Sequence, residues 1–292
     1  MITTGPTPGA RAAAWAVGQR SPRRPRMARA YAQATALLWR REMVRLRHNP
    51  VRLAMGLVTP LLFLVVLGSG LDAASGLAGA QMHDYRTFLF PGTLLMAIQA
   101  PSIAVGISLV WDRRLGLLRQ MLVSPFPRMS IIGGLACGGA TTGAIYGLML
   151  LLISGIAGIR YTPMLLVALA EIFLISFMFT GVGLLVAVTI RQIDAFQVVV
   201  NLSLMPLMFF SGALFPPNGL PGWLSIVVKL NPLTYGVDAV RRTLPGADVL
   251  GTRLTSLVVF GWTPPVPVEL GFLAGIGLVA VALSTIRFSR TS

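Results

Sequence analysis

The chain has 292 residues, 55% hydrophobic and only 11% charged, with a formal net charge of +15. A typical soluble domain is roughly 25% charged, and at a mean hydropathy of +0.77 this chain has too little polar surface to cover itself in water. Composition therefore excludes a soluble globular protein and predicts an all-α integral membrane protein; the single cysteine, Cys137, excludes an internal disulfide.

Residues 1–28 are rich in Pro, Gly, Ala and Arg and lack the apolar core of a secretory signal, so they read as a disordered basic tail that stays in the cytoplasm. From 29 to 50 the pattern becomes helical. Ala36, Trp39, Met43 and Leu46 share one face, Arg41 and Arg45 lie nearly opposite, and Arg40 and Arg47 flank the apolar stripe. That arrangement fits an amphipathic helix lying in a membrane surface with arginines reaching lipid phosphates, although a helix packed on a soluble partner has the same pattern. Asn49-Pro50 then turns the chain into the bilayer.

Residues 51–292 hold six apolar segments, near 53–71, 88–110, 131–158, 164–188, 195–214 and 267–286. Each is close to the roughly 20 residues of helix that cross a hydrocarbon core. With the N-terminus inside, most of the 24 basic residues fall in cytoplasmic parts. This predicts a multi-pass protein of the plasma or inner membrane with both termini cytoplasmic. The positive charge is a topology signal on this reading, and no nucleic-acid partner is expected.

Between the second and third segments lies WDRRLGLLRQMLVSPFPRMSIIG, Trp111 to Gly133. It carries Asp112, Arg113, Arg114, Arg119 and Arg128; Leu115, Leu118 and Leu122 have helical spacing, and Pro125 and Pro127 stop the helix. The positive-inside bias alone accounts for arginines here. A short helix between two spans, however, can also be pushed from outside the membrane and pass the push to both.

The third segment opens with GGLACGGATTGAIYG, in which Gly134/Gly138, Gly139/Gly143 and Gly143/Gly147 have the spacing that lets helix backbones approach closely. Whether the packing partner is in the same subunit is open. Glu171 is the carboxylate well inside a span, where it either braces helices or lines a substrate path. The fifth segment contains Asn201, Ser203 and Pro206 with Met205, Met208, Phe209 and Phe210. Methionine and aromatic side chains make adaptable apolar surface suited to a large greasy substrate, and a plain lipid- or core-facing stripe is an equal reading. Glu171, Asn201, Met205, Phe209 and Phe210 are the pathway candidates. The following FPPNGLPGWLSIVVKLNPLTYGVDAVRRTLPG is broken by prolines and glycines, and predicts two short re-entrant outer helices near 220–230 and 233–244.

Two stretches carry a family resemblance. Asp112, then Gly116-Leu117-Leu118-Arg119, then Ser124-Pro125 and Arg128, with SGALFP, LPGWL and NPLTYGVDAVR further on, resemble the type-2 ABC exporter permeases, which include the daunorubicin-resistance and nodulation-factor export permeases. One departure is Gly133-Gly134, where the family often has Gly-Lys. The resemblance implies that the 111–133 loop is a coupling helix resting on a separate ATPase through Asp112, Arg113, Arg114, Leu115, Gly116, Leu118, Arg119 and Leu122. It also implies two ATPase copies that hold the ATP and Mg, no cofactor on this chain, and a second copy or sister permease to complete the pathway. The cargo it implies is amphiphilic or lipid-like: an antibiotic or other drug, a glycolipid or a lipid-linked glycan. The residues agree on one point independently. A phosphate-binding loop needs a lysine after its last glycine, and the only lysine is Lys229, in VVKLNP.

Two other function classes fit less well. An ion-coupled secondary transporter needs titratable groups within the membrane; Glu171 is a thin supply, and no inverted repeat is visible. A membrane-embedded enzyme needs a catalytic constellation, but His48 and His83 lie outside the spans and no HExxH or serine–histidine pattern is present. The chain is read as a permease and not as an enzyme.

Overall fold

The computed structural model describes residues 24–77, 85–114, 128–190, 192–218, 220–246, 257–258 and 261–290. The chain begins with α1 (Arg24–Arg47) and α2 (Pro50–Leu62), which continues through a π turn (Phe63–Leu67) into α3 (Gly68–Leu77). Then come α4 (Tyr85–Arg114), α5 (Arg128–Leu152) with a 3-10 turn at Ser154–Ala157, α6 (Met164–Thr189) and α7 (Ile193–Phe209). Last are α8 (Gly222–Leu230), α9 (Pro232–Thr243) and α10 (Val266–Arg290). Two helices start the same way. Asn49 accepts from Arg52 N at 3.1 Å and Asn231 from Leu233 N at 3.0 Å, each with proline at the first helical position, where its missing N–H costs nothing. Pro60 inside α2 removes one backbone donor, and the π turn follows it directly.

Among the described residues, five helices are long and apolar enough to cross a membrane: Pro50–Leu71, Tyr85–Asp112, Met129–Leu152, Met164–Thr189 and Val266–Arg290. The expected fifth span, 195–214, departs from its hydropathy. The apolar helix there, α7, has 17 residues and ends at Phe209, about 25 Å at 1.5 Å per residue. Beyond it the chain turns through Gly212, whose φ of +69° suits glycine. Hydropathy runs on through this turn because Ala213, Leu214 and Phe215 are as apolar as the helix before them.

The middle of the bundle is α6, apolar on every side and packed against α4, α5 and α10. Its crossings with α4 and α10 are made by glycines that the sequence spacing did not single out. A Cβ at Gly183 would lie 2.7 Å from Ile103 O on α4, and one at Gly181 would lie 2.8 Å from Gly277 O on α10. Only a bare backbone fits at those approaches. By contrast α2 turns Val51, Met55, Val58 and Leu62 outward, and α10 does the same with Leu278, Val279, Leu283 and Ile286.

The helix expected over 29–50 is present as α1, but a different face is covered. It packs on α5 through buried Ala34 and Glu42 and half-buried Leu38, whereas Ala36 and Trp39 of the expected stripe are exposed. The reason lies in the partner. Gly134 and Gly138 leave a groove on α5, so that a Cβ at Gly134 would sit 2.7 Å from Leu38 Cβ and one at Gly138 3.0 Å from Glu42. The charged residues of this face are paired within the chain.

Candidate functional site: a clasp beside the 111–133 loop and a buried charge cluster

Asp112 stands in the last turn of α4, where a carboxylate opposes the helix dipole and burial raises its cost. Arg41 of α1 offsets both. Its Nη2 donates to Asp112 Oδ2 at 2.9 Å and to Glu42 Oε1 at 3.2 Å. Burial works against the Arg41 charge, but Asp112 and Glu42 outweigh it, and the guanidinium is held above its ordinary pKa. Arg45 Nη1 donates to Ser108 Oγ, also on α4. On the other side of the loop, Trp39 Nε1 donates to Thr141 Oγ1 of α5 at 3.0 Å. Helix α1 is thus fastened to the span before the loop and to the span after it.

Arg41 and Arg45, expected to lie opposite the packed face, therefore turn toward α4, while Arg40 and Arg47 are exposed. Arg113 and Arg114 close α4. Leu115, Gly116, Leu118, Arg119 and Leu122 lie outside the described residues, and so does the helix expected for them.

The small-residue stripe of α5 serves two faces. Gly134 and Gly138 receive α1; a Cβ at Gly139 would overlap Thr180, and one at Gly143 would overlap both Ser102 and Ser176. At Gly147 it would lie 2.6 Å from Ile172 Cγ2. These packing partners, on α1, α4 and α6, all belong to the same chain.

The five pathway candidates are not brought onto one surface. On α7, Asn201, Met205 and Phe209 are exposed and Phe210 is half-buried. Beneath this helix lies an almost wholly apolar cavity of about 260 Å³, lined by Ile103, Met178, Phe179, Ser203, Leu204 and Leu207 among others. Glu171 is elsewhere. It is 3% exposed, and its Oε1 accepts from Thr243 Oγ1 at 2.6 Å, joining α6 to α9. Within this chain Glu171 bridges α6 to α9.

At the same end of the bundle, charges gather around α9, whose bounds and those of α8 fall close to the two short helices expected from sequence. Arg242 Nη2 donates to Glu269 Oε1 of α10 at 2.6 Å and to Asp238 Oδ2, and its Nη1 donates to Pro264 O at 2.8 Å. Arg241 is 2% exposed; it donates to Gly212 O at 3.0 Å and lies 4.3 Å from the centroid of the Phe88 ring. Asn231 Nδ2 donates to Leu207 O at 2.6 Å, and Tyr85 Oη to Leu214 O at 2.5 Å. SGALFP and NPLTYGVDAVR therefore form one unit, in which the glycine turn of the first supplies the carbonyl that the arginine of the second requires. Arg241 and Arg242 are buried or paired within the fold and do not act as free loop charges.

The sequence profile of the ABC-2 type transporter family matches residues 33–244, from α1 to just past α9. The chain belongs to the ABC-2 type transporter family. Among its relatives, ycf38 of Cyanophora paradoxa, named as a transport permease, is 31% identical over 72% of this chain and 74% of its own length. The daunorubicin resistance ABC transporter permease protein DrrB1 of Streptomyces coeruleorubidus is 26% identical over 76% of this chain and 78% of its own. Nodulation protein J of Rhizobium leguminosarum bv. viciae is 25% identical over 74% and 84%. An ABC-2 permease with several long apolar helices is a multi-pass membrane protein, and its family is one of transporter subunits and not of catalysts.

Proposed function

We propose that this ABC-2 chain is the membrane-spanning subunit of an ATP-driven exporter of an amphiphilic or lipid-like substrate. Two copies of a separate ATPase hold the ATP and Mg, and a second copy of this chain or a sister permease completes the pathway. The observation that carries this reading is the family match across residues 33–244, in a chain whose relatives include proteins named for drug resistance and nodulation.

In this reading the five long helices and α7 are six spans of a plasma- or inner-membrane protein with both termini cytoplasmic. Helix α1 lies at the membrane surface, and α8 and α9 re-enter from outside. The exposed face of α7 supports a partner or a path at that helix. Asp194, Gln197 and Asn201 are exposed at helical spacing on an otherwise apolar helix, and polar groups facing hydrocarbon are costly. The exposed Met55, Val58 and Leu62 of α2 and Leu278, Val279, Leu283 and Ile286 of α10 suit lipid.

Coupling follows from the clasp. A push on the 111–133 loop reaches α4 and α5 through the chain itself, and reaches α1 through Arg41–Asp112. Helix α7, seated over the 260 Å³ cavity, is the element with room to tilt. Co-reconstitution with the ATPase in liposomes tests the reading: export should require ATP and persist when ion gradients are collapsed. Transport that survives ATP depletion and follows an ion gradient would favour a secondary transporter instead.

A further inference from the structure

Beside the charge cluster lies a second cavity, of about 170 Å³, that the export reading does not use. Tyr235, Trp262, Pro264, Val268, Glu269 and Phe272 line it. At ~30 Å³ per water-sized volume, it has room for a group of roughly five heavy atoms. The Tyr235 and Phe272 rings stand with centroids 5.0 Å apart, inclined at 54°. The Tyr235 hydroxyl donates to Lys229 O at 3.0 Å, which fixes the ring in place. Trp262, 55% exposed, forms the outer wall.

The one carboxylate in this lining is that of Glu269, and it is 1% exposed. Its Oε1 takes the Arg242 bond, and no basic group among the described residues donates to its Oε2. The same Arg242 nitrogen also serves Asp238, whose carboxyl lies within hydrogen-bonding reach of Glu269, so two buried acids share one guanidinium. A buried carboxylate with an unused acceptor is costly unless something positive completes it. Among the described residues no group of three or more His, Cys, Asp or Glu is arranged to hold a metal ion, and aromatic faces are poor ligands for one. They are good walls for an organic cation, which the ring quadrupole attracts.

We propose that this pocket binds an organic ammonium group, held against the faces of Tyr235, Phe272 and Trp262 and paired with Glu269. The group is either the head of a choline- or ethanolamine-bearing lipid or the amine of an amphiphilic cargo. Only the second case rests on the exporter reading; the ammonium site itself does not.

Binding of phenyltrimethylammonium to the full chain in phosphatidylglycerol nanodiscs tests this without ATP or transport. Saturable binding is expected, weakened about tenfold in Trp262→Ala, the loss of roughly one desolvated cation–π contact, and abolished in Glu269→Gln. Because Trp262 is mostly exposed, its replacement leaves the core intact even where Glu269→Gln destabilises the fold. Phosphatidylcholine in the discs should compete if the source is a lipid head and should leave binding unchanged if it is a soluble amine. Absence of saturable binding to the unaltered chain, undiminished binding in Trp262→Ala, or equal binding of the neutral tert-butylbenzene isostere would overturn the proposal. A protein that binds the cation yet fails to export with its ATPase would count against the transport reading alone.

Discussion

Arg41 stands between two carboxylates on different helices, and its removal strands Asp112, while Glu42 keeps Arg45 at 3.9 Å. Its side chain is 34% exposed, so the pair is screened, and about 1 kcal/mol of coupling is expected in a double-mutant cycle of Arg41→Gln with Asp112→Asn. Thermal unfolding in detergent measures it, and strict additivity would contradict the clasp. Arg241 is the opposite case. Fully enclosed, it satisfies a carbonyl and covers a ring at once, so Arg241→Leu should cost about 3 kcal/mol, with Arg241→Lys recovering only part. Glu171→Leu should cost about 1 kcal/mol by orphaning the Thr243 hydroxyl. Glu171→Gln, which keeps an acceptor, should be close to neutral, and both should leave substrate preference unchanged; altered preference would return Glu171 to the path. These residues show the limit of reading the chain alone. Asp112, Glu171 and Arg241 were visible in the sequence as charges, but their partners lie 29 to 72 positions away. Counting charges by loop sees a sign and not a partner.

Among the elements, α5 is the one whose two faces can be separated by experiment. Gly143→Leu drives a side chain into Ser102 and Ser176 at the centre of the bundle, and should abolish accumulation of folded protein. Gly134→Leu presses only on α1. It should leave the α4–α6 core standing while opening the α1–α2 joint near His48 to protease; normal protection there would count against the packing of α1 on α5. The bounds of the long helices, apart from the end of α5 at Leu152 where 158 was expected, were legible because apolar runs of that length, punctuated by Asn-Pro and by charged turns, have few alternatives. The length of α7 was not, because hydropathy continues through Ala213–Phe215 after the helix has ended. The packed face of α1 was also hidden, because it is set by glycines about a hundred residues away and not by the strongest apolar stripe.

Across the whole molecule, the two ends have different tasks. One end clasps α1, α4 and α5 around the loop that would meet an ATPase; the other locks α6, α9 and α10 through buried charge. The family was legible from ordered motifs, and at the α9 end those motifs hold the turn at Gly212 and the cap at Asn231 that the fold requires. The mechanism proposed above rests on the loop, and the double variant Gly116→Trp, Arg119→Glu probes it most directly. In proteoliposomes containing the permease and its ATPase, this variant should insert, accumulate and bind cargo as the unaltered chain does, yet lose ATPase association and ATP-dependent export together. Full export with normal ATPase association in the double variant would contradict the account and move the coupling surface away from residues 111–133.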